Sequence, residues 1–182
     1  MAKDHLPRLR AAPLLTPPRI VLLEPEIPQN TGNIGRMAAA LQCPLHLIEP
    51  LGFRVDEKAV RRAGLDYWPL VDMHLHPDLE AFERSHGTSR LVLFSAVGRR
   101  SCFEATFEPG DALVFGRESV GLPLSLLEAH PDTTYALPTI GGVRSLNLAN
   151  TVAVVLYEVY RQLGAFEALH LEAPPAPPST QG

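Results

Sequence analysis

The chain has 182 residues, of which 46% are hydrophobic; this is enough for one compact α/β domain and too little for a second full domain. Its formal net charge of −4 argues against a protein that coats nucleic acid through bulk positive charge, so any RNA binding is expected to use a local basic patch. No apolar run approaches the roughly 20 residues of a membrane-spanning helix and no signal peptide is visible, which predicts a cytoplasmic protein without a membrane segment.

Short apolar runs alternate with helical patterns over a predicted core at residues 19–167, which favours a parallel sheet covered by helices. The predicted strands are residues 19–23, 45–48, 90–95, 112–115 and 133–137. The predicted helices are residues 30–42, 56–63, 77–85, 123–129 and 146–163, the last with Ser145 as N-cap and Gly164 as its C-terminal stop. Residues 1–18 and the Pro-rich residues 168–182 are predicted to be flexible tails, extended or disordered.

Two glycine-containing segments resemble known nucleotide-binding loops without meeting their requirements. Residues 116–121 have the glycine spacing of a P-loop, but Leu122 and Pro123 stand where Lys and Ser or Thr are needed. Gly32 and Gly35 lack the fingerprint of a dinucleotide-binding turn. The sequence therefore argues against ATP hydrolysis and gives no support for a nicotinamide site.

Glycines at the ends of predicted strands could still bring a ligand close to backbone amides, because no Cβ blocks the approach. Gly116 follows the run 111–115, and Leu137 ends the run 133–136. The carboxyl ends of strands are where ligands bind in open α/β sheets. Taken alone, Gly116 and Gly121 also fit ordinary turns, so this pattern leaves both interpretations open.

An arginine at a strand-to-helix corner is the most informative single residue. Residues 30–36 (NTGNIGR) follow the apolar run 20–23 and a proline-containing turn, which places Arg36 where it could grip an anion. Three later segments contain polar residues and glycines that could act with it: residues 115–121, 136–138 and 144–150.

The densest group of basic side chains is the candidate RNA-binding surface. It consists of Arg54, Lys58, Arg61 and Arg62, with Arg99 and Arg100 as a second candidate. Because Asp56 and Glu57 dilute the first group, an ordinary solvated helix face remains an equal alternative. His74 and His76 are interpreted as exposed loop residues rather than metal ligands, and Cys43 and Cys102 as free thiols, so no metal site is predicted.

Four blocks of sequence together resemble one enzyme family. Residues 24–34 (EPEIPQNTGNI), 46–53 (HLIEPLGF), 61–67 (RRAGLDY) and 144–150 (RSLNLAN) are similar to the SPOUT superfamily of RNA methyltransferases. Within that superfamily, the second and third blocks resemble the small tRNA wobble-nucleotide 2'-O-methyltransferases of the TrmL/YibK type. The resemblance extends over about residues 20–164 and implies a parallel sheet whose C-terminal segment forms a deep trefoil knot.

The resemblance also implies roles for individual residues. The positions that match cofactor contacts or lie in the same loops are Phe94, Gly116, Gly121, Leu137, Ser145 and Leu146. The positions that match catalytic or supporting residues are Arg36, Asn30, Glu118, Ser145 and Asn147. Tyr157 matches a dimer-interface position, and the active site is expected to combine residues of two subunits in a homodimer.

The implied activity is transfer of a methyl group from S-adenosylmethionine to the ribose 2'-hydroxyl of the pyrimidine at tRNA position 34, without a metal. S-adenosylhomocysteine is the expected product, and tRNA-Leu isoacceptors are the expected substrates. A methyltransferase for another tRNA or rRNA nucleotide, and a non-catalytic module that binds the cofactor or RNA, remain alternatives. Arg117 and Trp68 depart from the family pattern and could alter substrate choice.

Overall fold

The computed structural model describes residues 6–54, 67–87 and 89–173. Within these ranges the strands are β1 (Arg8–Ala11), β2 (Arg19–Leu23), β3 (Leu45–Ile48), β4 (Met73–His76), β5 (Leu91–Phe94), β6 (Arg100–Ser101), β7 (Ala112–Phe115), β8 (Thr134–Ala136) and β9 (Leu169–Glu172). The α-helices are α1 (Pro28–Leu41), α2 (Leu79–His86), α3 (Leu124–Ala129) and α4 (Leu148–Gln162). None of the described helices is long and apolar enough to cross a membrane.

Strands β2 to β8 form a seven-stranded sheet in the order β4-β3-β2-β7-β5-β8-β6, and all of its pairings are parallel. The predicted α/β architecture is therefore confirmed. Consecutive residues of β2 are buried because helices cover both faces of the sheet. Ile20 and Leu22 pack in a cluster with residues of α1 and α4, whereas Val21 and Leu23 pack with Phe82 of α2.

The sequence missed two strands of the sheet. The edge strand β4 includes His74 and His76, which were assigned to an exposed loop; His76 is in fact buried. Because the segment contains polar side chains, it lacks the apolar run that predicts a strand. Parallel pairing with β3 holds it in the sheet. The two-residue strand β6, paired with β8, is too short to leave a pattern. The predicted helix at 56–63 lies outside the described residues.

The described parts of the two predicted tails pair with each other. Strand β1 and strand β9 form a two-stranded antiparallel sheet, with Arg8 opposite Glu172 and Ala11 opposite Leu169. Arg10 Nε donates a hydrogen bond of 2.7 Å to the Glu172 carboxylate. Residues 8–11 and 169–172 thus form paired strands, because pairing satisfies backbone groups that neither segment could satisfy alone.

Candidate active site

A cavity of about 720 Å³ opens where the loops after β5, β7 and β8 meet the start of α4. Its position follows from the sheet, because the carboxyl ends of parallel strands lie at one edge. Residues from all four predicted segments contribute to its wall. The wall includes the six residues assigned to the cofactor (Phe94, Gly116, Gly121, Leu137, Ser145 and Leu146) and, besides Ser145, three more assigned to catalysis or its support (Asn30, Glu118 and Asn147).

At Gly116 two backbone segments of the cavity wall approach each other closely. A Cβ atom added there would lie 2.2 Å from the Gly121 carbonyl carbon and 2.3 Å from the Leu122 nitrogen. The loop closes over it through a hydrogen bond of 2.9 Å from Gly121 N to Arg117 O. Only glycine fits this approach of backbone to backbone, so Gly116 is more than an ordinary turn residue.

A chain of three polar side chains joins the loops around the cavity. The Asn30 amide nitrogen donates a hydrogen bond of 3.0 Å to the Glu118 carboxylate, which can only accept. The Asn30 amide oxygen then accepts a hydrogen bond of 3.0 Å from Asn147 Nδ2. The Asn147 oxygen accepts in turn from the first backbone amides of α4, Ala149 N at 2.9 Å and Asn150 N at 3.4 Å.

The same contacts correct the predicted start of the last helix. The N-cap of α4 is Asn147, and Ser145 lies two residues before it on the cavity wall. Serine and asparagine are comparable N-caps, so local sequence could not choose between them. Asn30, which lies 117 residues away along the chain, binds the Asn147 side chain and favours that position.

Glu118 also binds the loop between β2 and α1. Its carboxylate accepts from Glu26 N at 2.8 Å and from Ile27 N at 3.3 Å. In return the Glu26 carboxylate accepts from Ser119 N at 2.9 Å and from the Ser119 hydroxyl at 2.8 Å. Three donors therefore occupy the Glu118 oxygens, an arrangement suited to positioning two loops rather than to receiving a proton.

A charged pair next to these contacts was not foreseen from the sequence. Arg117, noted as a departure from the family pattern, forms an ion pair with Glu24 at the end of β2. Glu24 has a left-handed backbone conformation, with φ of 52°. The sequence does not predict the contacts of Glu24, Glu26 and Ser119, because their partners lie in loops that are distant along the chain.

Arg36 lies apart from the cavity wall. It is exposed on α1, and its guanidinium carbon stands 4.5 Å from the centre of the Tyr67 ring. The Tyr67 hydroxyl donates to Gly32 O at 2.7 Å, and the Trp68 ring packs against Gly35, where an added Cβ would approach to 2.8 Å. The segment at 67–68 therefore holds Arg36 and the middle of α1, which gives Trp68 a packing role.

The predicted RNA-binding group is described only in part. Arg54 is exposed, whereas Lys58, Arg61 and Arg62 lie outside the described residues. In the second candidate group, Arg100 lies over the Tyr135 ring at 5.0 Å and donates to Asp132 O at 2.8 Å. The predicted dimer residue Tyr157 is 52% exposed, which leaves its ring accessible on α4.

The Asn30→Asp substitution is expected to lower the free energy of unfolding by about 2 kcal/mol at pH 8, because it replaces a buried donor with a like charge beside Glu118. The like charge raises the pKa of the introduced carboxyl, so the deficit should shrink as the pH falls towards 5. Urea unfolding at both pH values measures the effect. Asn33→Asp, on the exposed side of α1, is the matched control. Equal losses in both variants, or a deficit independent of pH, would contradict this account.

Comparison with known proteins identifies relatives of the whole domain. The profile of the SpoU rRNA Methylase family matches residues 17–157. The tRNA (cytidine(34)-2'-O)-methyltransferase of Saccharophagus degradans is 47% identical over 146 residues, covering 80% of this chain and 95% of that protein. The corresponding enzyme of Escherichia coli K12 is 45% identical over 146 residues and is covered to 93%.

One solved structure is described as giving insights into the 2-OH methylation of C/U34 on tRNA. It superposes with a TM-score of 0.76 at 52% identity, covering 81% of this chain and 97% of that chain. The SpoU methyltransferase AviRb of Streptomyces viridochromogenes, solved in complex with AdoMet, superposes with a TM-score of 0.68 at 27% identity, covering 89% of this chain and 62% of that one.

Proposed function

Because this chain belongs to the SpoU rRNA Methylase family, we propose that it transfers a methyl group from S-adenosylmethionine to the ribose 2'-oxygen of the pyrimidine at tRNA position 34. The observation that carries the proposal is the cavity at the carboxyl edge of the sheet, whose wall unites the predicted cofactor and supporting residues. Relatives named for this reaction cover 80% of the chain at 47% identity, which supports the substrate.

The cavity has the composition that S-adenosylmethionine requires. Phe94, Leu137 and Leu146 supply apolar surface for the adenine ring, and Gly116 leaves the backbone open where a Cβ would fill the space. The exposed Ser145 hydroxyl adds a polar group on the same wall. A bound sulfonium supplies an electrophilic methyl group, so the protein needs to orient the ribose oxygen and help remove its proton, and no metal takes part.

Glu118, Asn30 and Asn147 act as positioning residues in this proposal. Their hydrogen bonds join the loop after β7 to the start of α1 and the start of α4, and so fix the shape of the cavity. Arg36 binds the phosphate next to the target nucleotide and stabilises negative charge on the attacking oxygen. A guanidinium stays protonated in proteins and is a poor general base, so a phosphate oxygen or another carboxylate receives the proton.

We also propose a homodimer whose active site uses both subunits. Arg36 does not line the cavity of its own chain, whereas Val154 and Tyr157 leave apolar surface exposed on α4, 39% and 52% respectively. In the proposed dimer, Arg36 of one subunit acts at the cavity of the other. The family resemblance further supports a deep trefoil knot formed by the C-terminal segment.

The substrate is tRNA in the cytoplasm, where mature tRNA is used, and tRNA-Leu isoacceptors are the proposed targets. The basic group at Arg54, Lys58, Arg61 and Arg62 is the proposed RNA contact. A second candidate is methylation of an rRNA nucleotide, because the matching family is described by that substrate. The curated relatives named for cytidine 34 favour tRNA.

Nucleoside mass spectrometry tests the reaction directly. Transfer RNA that lacks wobble ribose methylation is incubated with the pure protein, with and without S-adenosylmethionine, and anticodon fragments are then isolated and digested. We expect new 2'-O-methylcytidine or 2'-O-methyluridine at position 34 only when the cofactor is present. Methylation at another nucleotide, or only in ribosomal RNA tested in parallel, would reject the wobble assignment.

A further inference from the structure

Three histidines from three elements meet on the face of the sheet covered by α2. His46 lies on β3, His76 on the edge strand β4 and His86 at the end of α2, and one ring nitrogen of each lies within 4.8 Å of the other two. None of the three lines the methyltransferase cavity. Their sequence spacing of 30 and 10 residues carries no metal motif, so only the fold reveals the cluster.

The first pair already has a separation suited to sharing one ion. His46 Nδ1 and His76 Nε2 face each other at 3.0 Å. Ligand nitrogens around a tetrahedral Zn²⁺ lie about 3.3 Å apart, given Zn–N distances of about 2.0–2.1 Å. A hydrogen bond now occupies this gap, and a metal ion could replace the shared proton with a small movement of the two rings.

The third histidine is held in the tautomer that a ligand needs. His86 Nδ1 lies 3.1 Å from Phe82 O, which can only accept, so the hydrogen bond places the ring proton on Nδ1. The Ser85 hydroxyl, which donates to the same carbonyl, lies 2.8 Å from Nδ1. The lone pair is therefore on Nε2. Metal-binding histidines typically donate their other N–H to a backbone carbonyl in this way.

His46 is a buried polar side chain of this cluster. Its side chain is only 1% exposed, its Nδ1 atom faces His76, and its Nε2 atom is buried without a hydrogen-bond partner in the described part of the chain. Buried polar groups normally have partners, so the hydrogen-bonding capacity of this ring is incompletely satisfied by the protein alone.

We propose that His46, His76 and His86 form a binding site for one divalent transition-metal ion, with Zn²⁺ as the preferred occupant. Three imidazoles suit Zn²⁺, and water can take the fourth position of a tetrahedral site. His86 is partly exposed at the end of a short helix, so rotation of its side chain can close the remaining gap of about 1.5 Å, from 4.8 Å to the separation of a tetrahedral pair.

The site has a structural role that is separate from methyl transfer. A bound ion would tie the edge strand β4 and the end of α2 to β3 in the interior. The chain after β3 leads to Gly52, whose amide donates to Pro25 O at 2.9 Å in the loop before α1. The ion would thus stabilise this edge of the sheet. This inference does not depend on the proposed substrate or on the cofactor.

Metal titration of the full-length, tag-free protein tests the site. The apo protein is titrated with Zn²⁺ by calorimetry and with Co²⁺ by visible absorption, which reports tetrahedral coordination. We expect one ion per chain, a tetrahedral Co²⁺ spectrum, and an affinity lower by on the order of 100-fold in His86→Ala. His170→Ala, at an exposed histidine on β9, is the matched control and should bind as the parent does.

A second measurement guards against a variant that folds poorly. Removing Zn²⁺ from the loaded protein with a chelator should lower the melting temperature by about 5 °C, whereas His86→Ala and His76→Gln should show no chelator effect. Circular dichroism establishes that each variant is folded before titration. Binding of less than one ion per chain by the parent protein, or an unchanged affinity in folded His86→Ala, would overturn the proposal.

Discussion

The Gly116→Ala variant is expected to bind S-adenosylmethionine with an affinity at least about 100-fold lower. The cavity wall can close only if residue 116 has no side chain. The added methyl group would meet the backbone of Gly121 and Leu122 at 2.2 and 2.3 Å, where no flexible side chain can move aside. The loop must therefore open, and opening it separates the Arg117 carbonyl from the Gly121 amide. We also expect a loss of about 1–3 kcal/mol in the free energy of unfolding, as for other overpacked sites.

Calorimetric titration with S-adenosylhomocysteine measures this effect without requiring RNA. Gly141→Ala is the matched control, because an added Cβ there meets nothing within 4 Å and Gly141 does not line the cavity. Thermal unfolding of both variants separates a local effect from global instability. Parent-like cofactor affinity in a folded Gly116→Ala protein would show that the cofactor does not use this wall.

Much of the fold could be predicted because its signals are local. The buried strands are short runs of consecutive apolar residues, and the periodicity of α4 placed its ends within two residues of residues 148 and 162. Strand β4 escaped because its burial depends on a neighbouring strand and on Phe82 of α2, which together turn His76 into a core residue. The pattern of residues 73–76 does not predict these contacts with β3 and α2.

The site residues could be predicted by resemblance, but their contacts could not. Glu118 alone gives no signal, because an acidic loop residue is usually solvated. Its role emerges only when folding brings Asn30 and the amides of Glu26 and Ile27 to its carboxylate, across 88 to 92 residues of chain. The histidine cluster shows the same limit. Strand register and helix packing bring the three histidines together, and neither can be predicted from the spacing of these residues in the sequence.

Loss of the Arg36 guanidinium is expected to have the largest effect on the rate of methyl transfer. Arg36→Ala should lower kcat by about 100- to 1000-fold, the range seen when one donor to a developing oxyanion is removed. S-adenosylmethionine affinity should stay unchanged, because Arg36 is proposed to contact the RNA phosphate and the attacking oxygen rather than the cofactor. Single-turnover methylation of tRNA, together with calorimetric cofactor binding, measures the two quantities separately. Arg84→Ala, at an exposed arginine on α2, is the control.

The Arg36→Lys variant distinguishes charge from geometry. Lysine keeps the positive charge but loses the planar fork that can bind phosphate through two hydrogen bonds, and it also loses stacking on the Tyr67 ring. We therefore expect Arg36→Lys to remain at least about tenfold slower than the parent, since one charge-assisted hydrogen bond is worth about that much. Recovery of most of the activity would mean that charge alone suffices and would reject the bidentate role. A matching fall in cofactor affinity in either variant would place Arg36 in the cofactor site instead, and so contradict its assignment to the RNA.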